Sequence, residues 1–600
     1  MHWGDSSSLA YERTDSATAR SAMNPLRPML LAGRIVRLGA LGVAVSACGG
    51  GSSAPAVPPS YKLSASALNP GSVSAGNKST STITLTAAGG YTGSVTLSCG
   101  TISGGVSAPS CSFSPATVPV NGTSGTSTLT VASSINTPGG SYAIMVNASD
   151  AEKTAPSNGA QALTLTMAAV IQHVVIIFQE NRSTDNLFQD PVLISRGADI
   201  KSSGLNTAGQ TVALTPNDLG TAGATPQDYD LGHAHADFVS MYDAGKMDGA
   251  NRVQCYVKGV LCAAGTHPNA AYHYVLPADV APYFALAEQY TFGDRMFQSN
   301  EGPSMPAHQF IFSGTSAPAV GSTLFAAENP TNDYGGCIAP AGTLVALIDA
   351  AGSEAAQPPM YPCFDHQTLA DLLTAKDVSW RYYTPIADYI WTAPVAISHL
   401  CQADTVTLTC TGTEWTNNVV IPQTQVLTDI ASGKLAQVSW VIPNGTSSDH
   451  ASINDGTGPS WVASIVNAIG SSAYWANTAI IITWDDWGGW YDHVAPKVIN
   501  DGVSWGSGYV YGFRVPLIVV SPYAKAAYIS HVTHDFGSIL KFIETTYELP
   551  SLNYADAQAD DLSDCFDLTQ SPLTFKAIPA KVAAADFIND KRPPVDPDDD

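Results

Sequence analysis

The chain has 600 residues and a mass of 62.5 kDa, and 45% of its residues are hydrophobic. This length and composition exclude a wholly disordered or fibrous protein and allow more than one hydrophobic core. Asp and Glu number 50 against 26 Lys and Arg, so the formal net charge is −24. A surface of that charge repels phosphate backbones, so nucleic acid is not an expected partner.

Residues 1–47 have the pattern of a leader followed by an export signal. Three arginines precede a short apolar run at 38–47. That run is too short to span a bilayer, and it matches the hydrophobic region of a secretory signal peptide. We therefore expect the protein to be exported.

The signal closes on Val45-Ser46-Ala47-Cys48, followed by three glycines. This segment resembles the lipobox of bacterial lipoproteins, in which the cysteine is lipidated and becomes N-terminal after cleavage. The resemblance implies a lipid anchor on Cys48, a membrane partner through that anchor, and an outer-membrane or cell-surface location. Cleavage near Ala47 with release into the periplasm or the medium is the alternative.

Export makes disulfides the default expectation for the nine cysteines that remain besides Cys48. None of them lies in a CxxC or Cys/His zinc pattern, so a cysteine metal site is not expected. Cys565 is left over and is expected to be free, although sequence alone does not prove the connectivity. The expected pairs are Cys99 with Cys111, Cys255 with Cys262, Cys337 with Cys363, and Cys401 with Cys410.

Composition divides the exported chain into four parts. Residues 48–60 are rich in Gly, Ser and Pro, which predicts a flexible tether. Residues 61–168 carry few charges and alternate Val, Leu and Thr with turn residues, which predicts a small all-β sandwich. Residues 171–588 are predicted to form one large α/β domain. The acidic, Pro-rich residues 589–600 are predicted to be a disordered tail.

Within the small domain, the run "VTLSCG…APSCSFSPATV" resembles the Ig-like modules that bacterial surface enzymes carry as spacers. A passive spacer is favoured over a binding module because the segment shows no aromatic or charged cluster. Binding of carbohydrate or protein stays open as the alternative.

The α/β domain is predicted from buried-looking apolar runs that alternate with helical stretches. The runs Val174–Phe178, Ala479–Ile482 and Pro516–Val520 predict a mainly parallel sheet between helices. A helix is predicted directly after Asp535, because apolar residues then recur at helical spacing and Asp535 is a suitable N-cap.

Acidic residues follow two of these predicted strands. Glu180 and Asn181 come after the first run, and Asp485 and Asp486 come after the second. Ligands collect beyond the carboxyl ends of parallel strands, and carboxylate and amide oxygens suit a divalent cation. The four residues therefore predict one metal site, although each of them alone is more often a turn or cap residue.

Ser304 stands in the run Asn300–His308, between Pro303 and Met305-Pro306. Gly and Pro around it predict a rigid turn that presents the hydroxyl rather than burying it in a helix. A metal bound to a serine oxygen lowers its pKa, which makes Ser304 a candidate nucleophile and metal ligand. No GxSxG elbow surrounds it, which weighs against an ordinary serine hydrolase. Serine beside proline is also common in structural turns.

Three histidines complete the candidate site: His233, His450 and His493. A histidine can donate a hydrogen bond to a phosphoryl oxygen or protonate a leaving alkoxide. Any one of them alone is more often structural, and only a position beside the metal residues distinguishes the two roles.

Seven sequence blocks occur in the order expected for the bacterial phosphoesterase family, which contains phospholipases C and acid phosphatases within the alkaline-phosphatase-like superfamily. The chain resembles this family from about 171 to 555. The blocks are IQHVVIIFQENRSTDNLF, DLGHAHADFVSMYDAGKMDG, FQSNEGPSMPAHQFIFSGTS, VSWRYYTP, SWVIPNGTSSDHAS, IIITWDDWGGWYDHVAP and YGFRVPLIVVSPYAK…SHVTHDFGSILKFIE.

The resemblance implies an alkaline-phosphatase-like α/β fold, one divalent metal ion as cofactor, and hydrolysis of phosphoric esters through a phosphoserine. Where this chain has Ser304, phospholipases C of the family tend to have Thr. The role of His493 is the least certain. The implied catalytic residues are Ser304, His233 and His450, the implied substrate-binding residues are Asn181 and His493, and the implied metal ligands are Glu180, Asn181, Ser304, Asp485 and Asp486.

Two features favour an acid phosphatase or general phosphoesterase. Long phospholipases C of the family carry further β domains after the last catalytic motif, where this chain ends, and Ser replaces Thr at 304. A phospholipase C acting on phospholipid diesters is the alternative. The second alternative is a non-enzymatic lipoprotein that binds a surface through its small β domain. A sulfatase is disfavoured because no Cys-x-Pro-x-Arg or Ser-x-Pro-x-Arg block is present.

Overall fold

The computed structural model describes residues 57–595, with gaps at 75, 103–107, 134–136, 138, 169, 221–228, 333, 350, 355–357, 499–510 and 569. The predicted leader, the signal peptide, Cys48 and most of the tether lie outside the described residues. Within the described residues, no helix is long and apolar enough to cross a membrane.

The small N-terminal domain consists of β-strands, as predicted. Alternation places Ile83 and Leu85 in its core with no exposure, while Thr82 and Thr86 on either side of this pair are exposed. One sheet has the order β1-β3-β7-β5 and the other the order β2-β9-β8-β4-β6. The strands are β1 (Ser60–Ala65), β2 (Ser72–Ser74), β3 (Lys78–Ala88), β4 (Thr92–Cys99), β5 (Ser110–Ser114), β6 (Thr117–Asn121), β7 (Ser124–Ala132), β8 (Gly140–Asp150) and β9 (Gln161–Ala168).

The large domain contains both helices and strands, also as predicted. The three apolar runs form strands β10, β26 and β27, whose residues are almost all buried. Its strands are β10 (His173–Gln179), β11 (Ser203–Leu205), β12 (Thr211–Ala213), β13 (Thr215–Asn217), β14 (Asp230–Leu231), β15 (Cys255–Val257), β16 (Val260–Leu261), β17 (His273–Val275), β18 (Thr291–Phe297), β19 (Leu324–Ala326), β20 (Leu347–Asp349), β21 (Trp380–Tyr383), β22 (Ala403–Asp404), β23 (Thr409–Cys410), β24 (Val419–Val420), β25 (Val438–Val441), β26 (Thr478–Trp484), β27 (Arg514–Val520), β28 (Tyr528–Ser530) and β29 (His534–Asp535).

Nine of these strands form the main sheet, in the order β24-β21-β25-β10-β26-β27-β18-β28, with β29 beside β18. Every neighbouring pair from β24 to β26 is parallel, and β27 runs antiparallel to both β26 and β18. In the β10–β26 register, Gln179 lies opposite Trp484. The residues that follow these two strands therefore leave the sheet side by side.

The helices pack in two groups, one around α10 with α4, α9 and α13, and one around α11 with α5 and α12. Helix α11 begins as predicted, since the Asp535 carboxylate accepts the Ser538 backbone amide at 3.1 Å. The helices are α1 (Thr184–Leu187), α2 (Pro191–Ser195), α3 (His235–Tyr242), α4 (Ala281–Gln289), α5 (Ser304–Ser313), α6 (Leu369–Ala375), α7 (Ser398–Cys401), α8 (Thr413–Asn418), α9 (Gln425–Ala431), α10 (Gly458–Gly470), α11 (Phe536–Tyr547), α12 (Ala555–Gln558) and α13 (Ala584–Asn589).

The four predicted disulfide pairs and the prediction that Cys565 is free are confirmed. Cys565 is free and buried. The bonded pairs are Cys99–Cys111, Cys255–Cys262, Cys337–Cys363 and Cys401–Cys410.

The carboxyl-terminal segment differs from the predicted disordered tail in the part that is described. The Val595 backbone amide donates to the Asn444 side-chain oxygen at 3.3 Å, and Arg592 forms an ion pair with Asp455 at 3.2 Å. The acidic composition of this segment predicted disorder. It did not predict the contacts of Arg592 and Val595 with the large domain.

Candidate active site

Three buried side chains gather where β10 and β26 end. Glu180 and Asp485 are the first residues after the paired strand ends, and His308 comes from α5. One ligand atom from each lies within 4.8 Å of the other two. His308 Nε2 is 3.3 Å from Glu180 Oε1 and 3.7 Å from Asp485 Oδ2, and all three side chains are fully buried.

Ser304 is the first residue of α5 and is fully buried, so the prediction of an exposed turn is wrong. Pro303 is the N-cap of this helix and Pro306 lies in its first turn. Proline is tolerated there because the first amide groups of a helix have no partner within the helix. The prolines therefore begin a helix, and its N-terminal dipole favours an anion near Ser304.

The Ser304 hydroxyl contacts two of the predicted metal ligands. Its Oγ lies 3.2 Å from Asp486 Oδ2 and 3.4 Å from Asn181 Oδ1. Asn181 is joined to the cluster in turn, because its backbone amide donates to Asp485 Oδ1 at 3.1 Å. The structure thus brings together all five residues predicted as metal ligands.

A chain of hydrogen bonds links His233 to Ser304 through Asn181. His233 Nδ1 contacts the Leu231 carbonyl at 2.7 Å, which places the ring proton on Nδ1. His233 Nε2 then accepts from Asn181 Nδ2 at 3.1 Å. This orientation turns Asn181 Oδ1 toward the Ser304 hydroxyl, so the histidine fixes the face that the amide presents to the site.

His450 lies beside His233, with 6.1 Å between the ring centroids. Its Nδ1 contacts the Ala451 carbonyl at 2.8 Å, and the Asp230 carboxylate is 3.4 Å away. Both histidines predicted to contact a phosphoryl group therefore share the region around Asn181 and Ser304.

The donor set fits a divalent cation. Asp485 Oδ2 is buried and makes no hydrogen bond within the described residues. Burial, only partly opposed by the Asp485 carboxylate, lowers the pKa of His308 to about 4, so the imidazole is neutral at pH 7. Buried carboxylates are costly unless a positive charge accompanies them, and carboxylate oxygens with a neutral imidazole bind divalent metals.

His493 is placed differently from the prediction that it binds substrate. Its Nδ1 is 2.6 Å from Asp185 and its Nε2 is 3.0 Å from Asp199, so carboxylates hold both ring nitrogens. Asp185 also pairs with the buried Arg514 at 3.0 Å. His493 thus belongs to an ionic network that supports the loop after β10.

A cavity of about 250 Å³ lies against the site. His233 and Pro303, the residue before Ser304, form part of its wall. Asp237, Tyr256 and Glu328 also line it. The cavity therefore offers room for a substrate next to the serine.

A family profile described as "Phosphoesterase family" matches residues 171–550, more than half of the chain. The chain belongs to the phosphoesterase family. This phosphoesterase is 24% identical over 446 residues to "Hemolytic phospholipase C" of Pseudomonas aeruginosa, covering 66% of this chain but only 56% of that relative.

Two further proteins are similar to this phosphoesterase. "Phospholipase C A" of Mycobacterium tuberculosis is 24% identical over 448 residues, covering 67% of this chain and 78% of the relative. The crystal structure of a protein in the alkaline phosphatase superfamily from Vibrio parahaemolyticus covers 65% of this chain and 70% of its own, at 9% identity and a TM-score of 0.29.

Sequence reasoning missed one side chain of the site and one buried acid that supports the strand end next to it. His308 lies four residues after Ser304, and this spacing places both side chains on one face of a helix. Because the sequence predicts a turn there, the helical spacing does not point to His308. Asp449 precedes His450 and is buried, and its carboxylate accepts from Tyr283 at 2.7 Å and from Trp484 at 3.2 Å. Nothing in the local sequence indicates these distant partners.

Proposed function

We propose that this chain hydrolyses phosphoric esters with Ser304 as the nucleophile. The observation that carries the proposal is the position of the Ser304 hydroxyl, between Asp486 and Asn181 at the N-terminus of α5. A serine is a weak nucleophile in water, and a nearby carboxylate and an anion-stabilising helix end both assist its attack on phosphorus.

In the proposed reaction, Asp486 accepts the hydroxyl proton while Ser304 Oγ forms a bond to phosphorus and the ester P–O bond breaks. The departing alkoxide takes a proton from His450, while His233, whose Nε2 accepts from Asn181, holds that amide in place. Water then attacks phosphorus on the side opposite Oγ and the P–Oγ bond breaks, which releases phosphate or a phosphomonoester. The attacking water gives a proton to His450, and Asp486 returns its proton to Ser304 Oγ.

The proposed cofactor is one divalent cation. Glu180, His308 and Asp485 would hold it, with Asn181, Asp486 and Ser304 as the further predicted ligands. Bound there, such a cation would lower the pKa of the serine hydroxyl and offset the negative charge of the phosphoryl group.

We infer that phosphodiesters of the phospholipid type are the preferred substrates, rather than the monoesters favoured from sequence. Relatives that match about two thirds of this chain carry the name phospholipase C. The acid phosphatase function stays the alternative, and the comparison of p-nitrophenyl phosphorylcholine with p-nitrophenyl phosphate separates the two. Faster release of p-nitrophenol from the monoester would contradict the phospholipid preference and support an acid phosphatase.

The test of the function itself uses the purified full chain with Ser304→Ala and Asp485→Ala variants. We expect the wild type to contain a divalent metal and to hydrolyse at least one of the two chromogenic esters. We expect Ser304→Ala to be folded and inactive. An active Ser304→Ala protein would remove the proposed nucleophile, and a wild type inert with every divalent ion would favour the non-enzymatic alternative.

We also propose that the large domain has an alkaline-phosphatase-like fold, that the small domain is an Ig-like spacer, and that the chain is exported and anchored through Cys48. Four disulfides support an oxidising compartment. Radiolabelled palmitate incorporated by the wild type but not by Cys48→Ser would support the anchor. Equal labelling of both would refute it.

A further inference from the structure

A small disulfide-closed hairpin stands at the cavity beside Ser304. Strands β15 and β16 are joined through Lys258 and Gly259, and the Cys255–Cys262 bond closes the base. Val260 and Leu261 on its second strand are 67% and 59% exposed. Two adjacent aliphatic side chains thus face solvent on a hairpin whose conformation the disulfide restrains.

The hairpin is built into the wall of the cavity. Tyr256, on its first strand, lines the cavity together with His233 and Pro303. Strand β14 pairs with β15, with Leu231 opposite Cys255, and the Leu231 carbonyl contacts His233. The hairpin therefore has a fixed position relative to the residues around the nucleophile.

The size of the cavity limits what a lipid substrate can place inside it. At about 250 Å³, it lies below the usual range of roughly 300–1,000 Å³ for small-molecule pockets. A phosphorylated head group fits such a volume, whereas two acyl chains do not. The acyl chains of a lipid substrate must therefore stay in the bilayer while its phosphate reaches Ser304, which brings the rim of the cavity to the membrane surface.

The charge of the hairpin suits that surface. From Cys255 to Cys262 the only charged residue is Lys258, which is exposed, although the whole chain carries a net charge of −24. A lysine beside exposed aliphatic side chains matches a lipid interface, because the ammonium meets the phosphate layer while the apolar groups enter the acyl region. Leu344, 37% exposed, is a further apolar side chain beside the cavity, since its amide donates to the lining residue Thr331.

We propose that the tip Lys258–Leu261 inserts into the surface of a phospholipid bilayer and holds the cavity mouth against it. This inference rests on the proposed hydrolysis of phospholipid diesters. The disulfide fixes the tip before binding, so little conformational freedom is lost on insertion.

The test compares two double variants of the full chain. Every protein compared, including the parent called wild type below, carries Cys48→Ser so that the proposed lipid anchor cannot bind the vesicles. Val260→Asp with Leu261→Asp alters the tip. The matched control, Val406→Asp with Leu408→Asp, places the same charge on the hairpin closed by Cys401–Cys410, where these residues are 88% and 48% exposed. Co-sedimentation and lipid hydrolysis are measured with vesicles of equimolar phosphatidylcholine and phosphatidylglycerol, and p-nitrophenyl phosphorylcholine reports the reaction in solution.

We expect the tip variant to lose about tenfold or more in vesicle binding and vesicle hydrolysis, since charges replace the two aliphatic side chains that would enter the bilayer. Its turnover of the soluble ester should equal that of the wild type, and the control variant should behave as the wild type in all assays. Lys258→Glu, a change that leaves the apolar residues intact, should weaken binding to these vesicles more than binding to pure phosphatidylcholine vesicles.

Unchanged vesicle binding by the tip variant, or an equal loss in the control variant, would overturn the inference. An equal effect of Lys258→Glu on both vesicle types would show that the lysine does not contribute to binding through the anionic lipid. Failure of the proposed function has a different signature, because the wild type would then hydrolyse neither soluble nor vesicle substrate whatever its affinity for vesicles.

Discussion

Gly488 tests how closely the site depends on the position of Asn181. It has φ +60° and lies two residues after Asp486, whose carboxylate accepts the Gly488 amide at 2.7 Å. A Cβ at this position would lie 2.4 Å from the Asn181 carbonyl oxygen and 2.7 Å from the Asn181 Cβ. Gly488→Ala should therefore displace Asn181, which orients toward Ser304 and would bind the metal.

The size of the effect follows from these distances. Real Cβ contacts stay at 3.0 Å or more, so the new Cβ and the Asn181 carbonyl oxygen must separate by about 0.6 Å. Misplacement of a positioning group by about 1 Å can cost about 10²-fold in rate, so we expect kcat/KM to fall by about that factor. The left-handed backbone adds a stability cost of about 1–2 kcal/mol for an L-residue.

Gly209→Ala is the matched control. Gly209 has φ +73° in the turn between β11 and β12, and a Cβ there meets nothing within 4 Å. Urea unfolding should show the backbone cost in both variants and a larger total loss in Gly488→Ala, where the contact with Asn181 adds to it. Turnover of p-nitrophenyl phosphorylcholine should fall only in Gly488→Ala. If the two variants keep equal activity, the position of Asn181 does not limit the reaction and this account of the site is wrong.

Three further predictions concern single residues at the site and in the cavity wall. Ser304→Ala should lower kcat by about 10⁴-fold or more, as removal of a covalent nucleophile does, with unfolding in urea little changed. Asp485→Asn should reduce the metal bound per chain, measured by inductively coupled plasma mass spectrometry, and equal metal content would contradict the assigned ligand set. Burial, with the Glu354 carboxylate adding to it, raises the pKa of Glu328 to about 8. This group in the cavity wall is therefore neutral at pH 7 and repels an anionic ester above pH 8, so kcat/KM should decline there in the wild type and not in Glu328→Gln.

The parts of the site that the sequence predicted are those set by local pattern. Apolar runs followed directly by acids placed Glu180 and Asp485 at strand ends, and the parallel β10–β26 register then makes them neighbours. The Asp535 cap was predicted for the same reason, since an N-cap and the helix it begins are contiguous in the chain. Local pattern is informative here because the structural partners are close in sequence or related by one strand pairing.

The errors arose where the deciding partners are distant. The prolines around Ser304 are compatible with a turn or with the first turn of a helix, and only packing of α5 against α11 distinguishes them. His493 lies in a motif beside the acidic pair, yet Asp185 and Asp199, some three hundred residues earlier, hold its ring. Such long-range ionic contacts have no periodic signal in the sequence.

The charge of the molecule explains why the proposed centre would need a cation. An anionic ester must approach a chain of net charge −24, and the two buried arginines among the described residues are held by the scaffold. Arg182 donates to the Asp449 carbonyl at 2.8 Å, and Arg514 pairs with Asp185 and Asp492. Because these guanidinium groups are engaged elsewhere, the proposed cation and the α5 N-terminus would supply the positive potential that receives the phosphoryl group. Overall acidity is therefore compatible with an anionic substrate, because in the proposed reaction the favourable charge is local and lies beside Ser304.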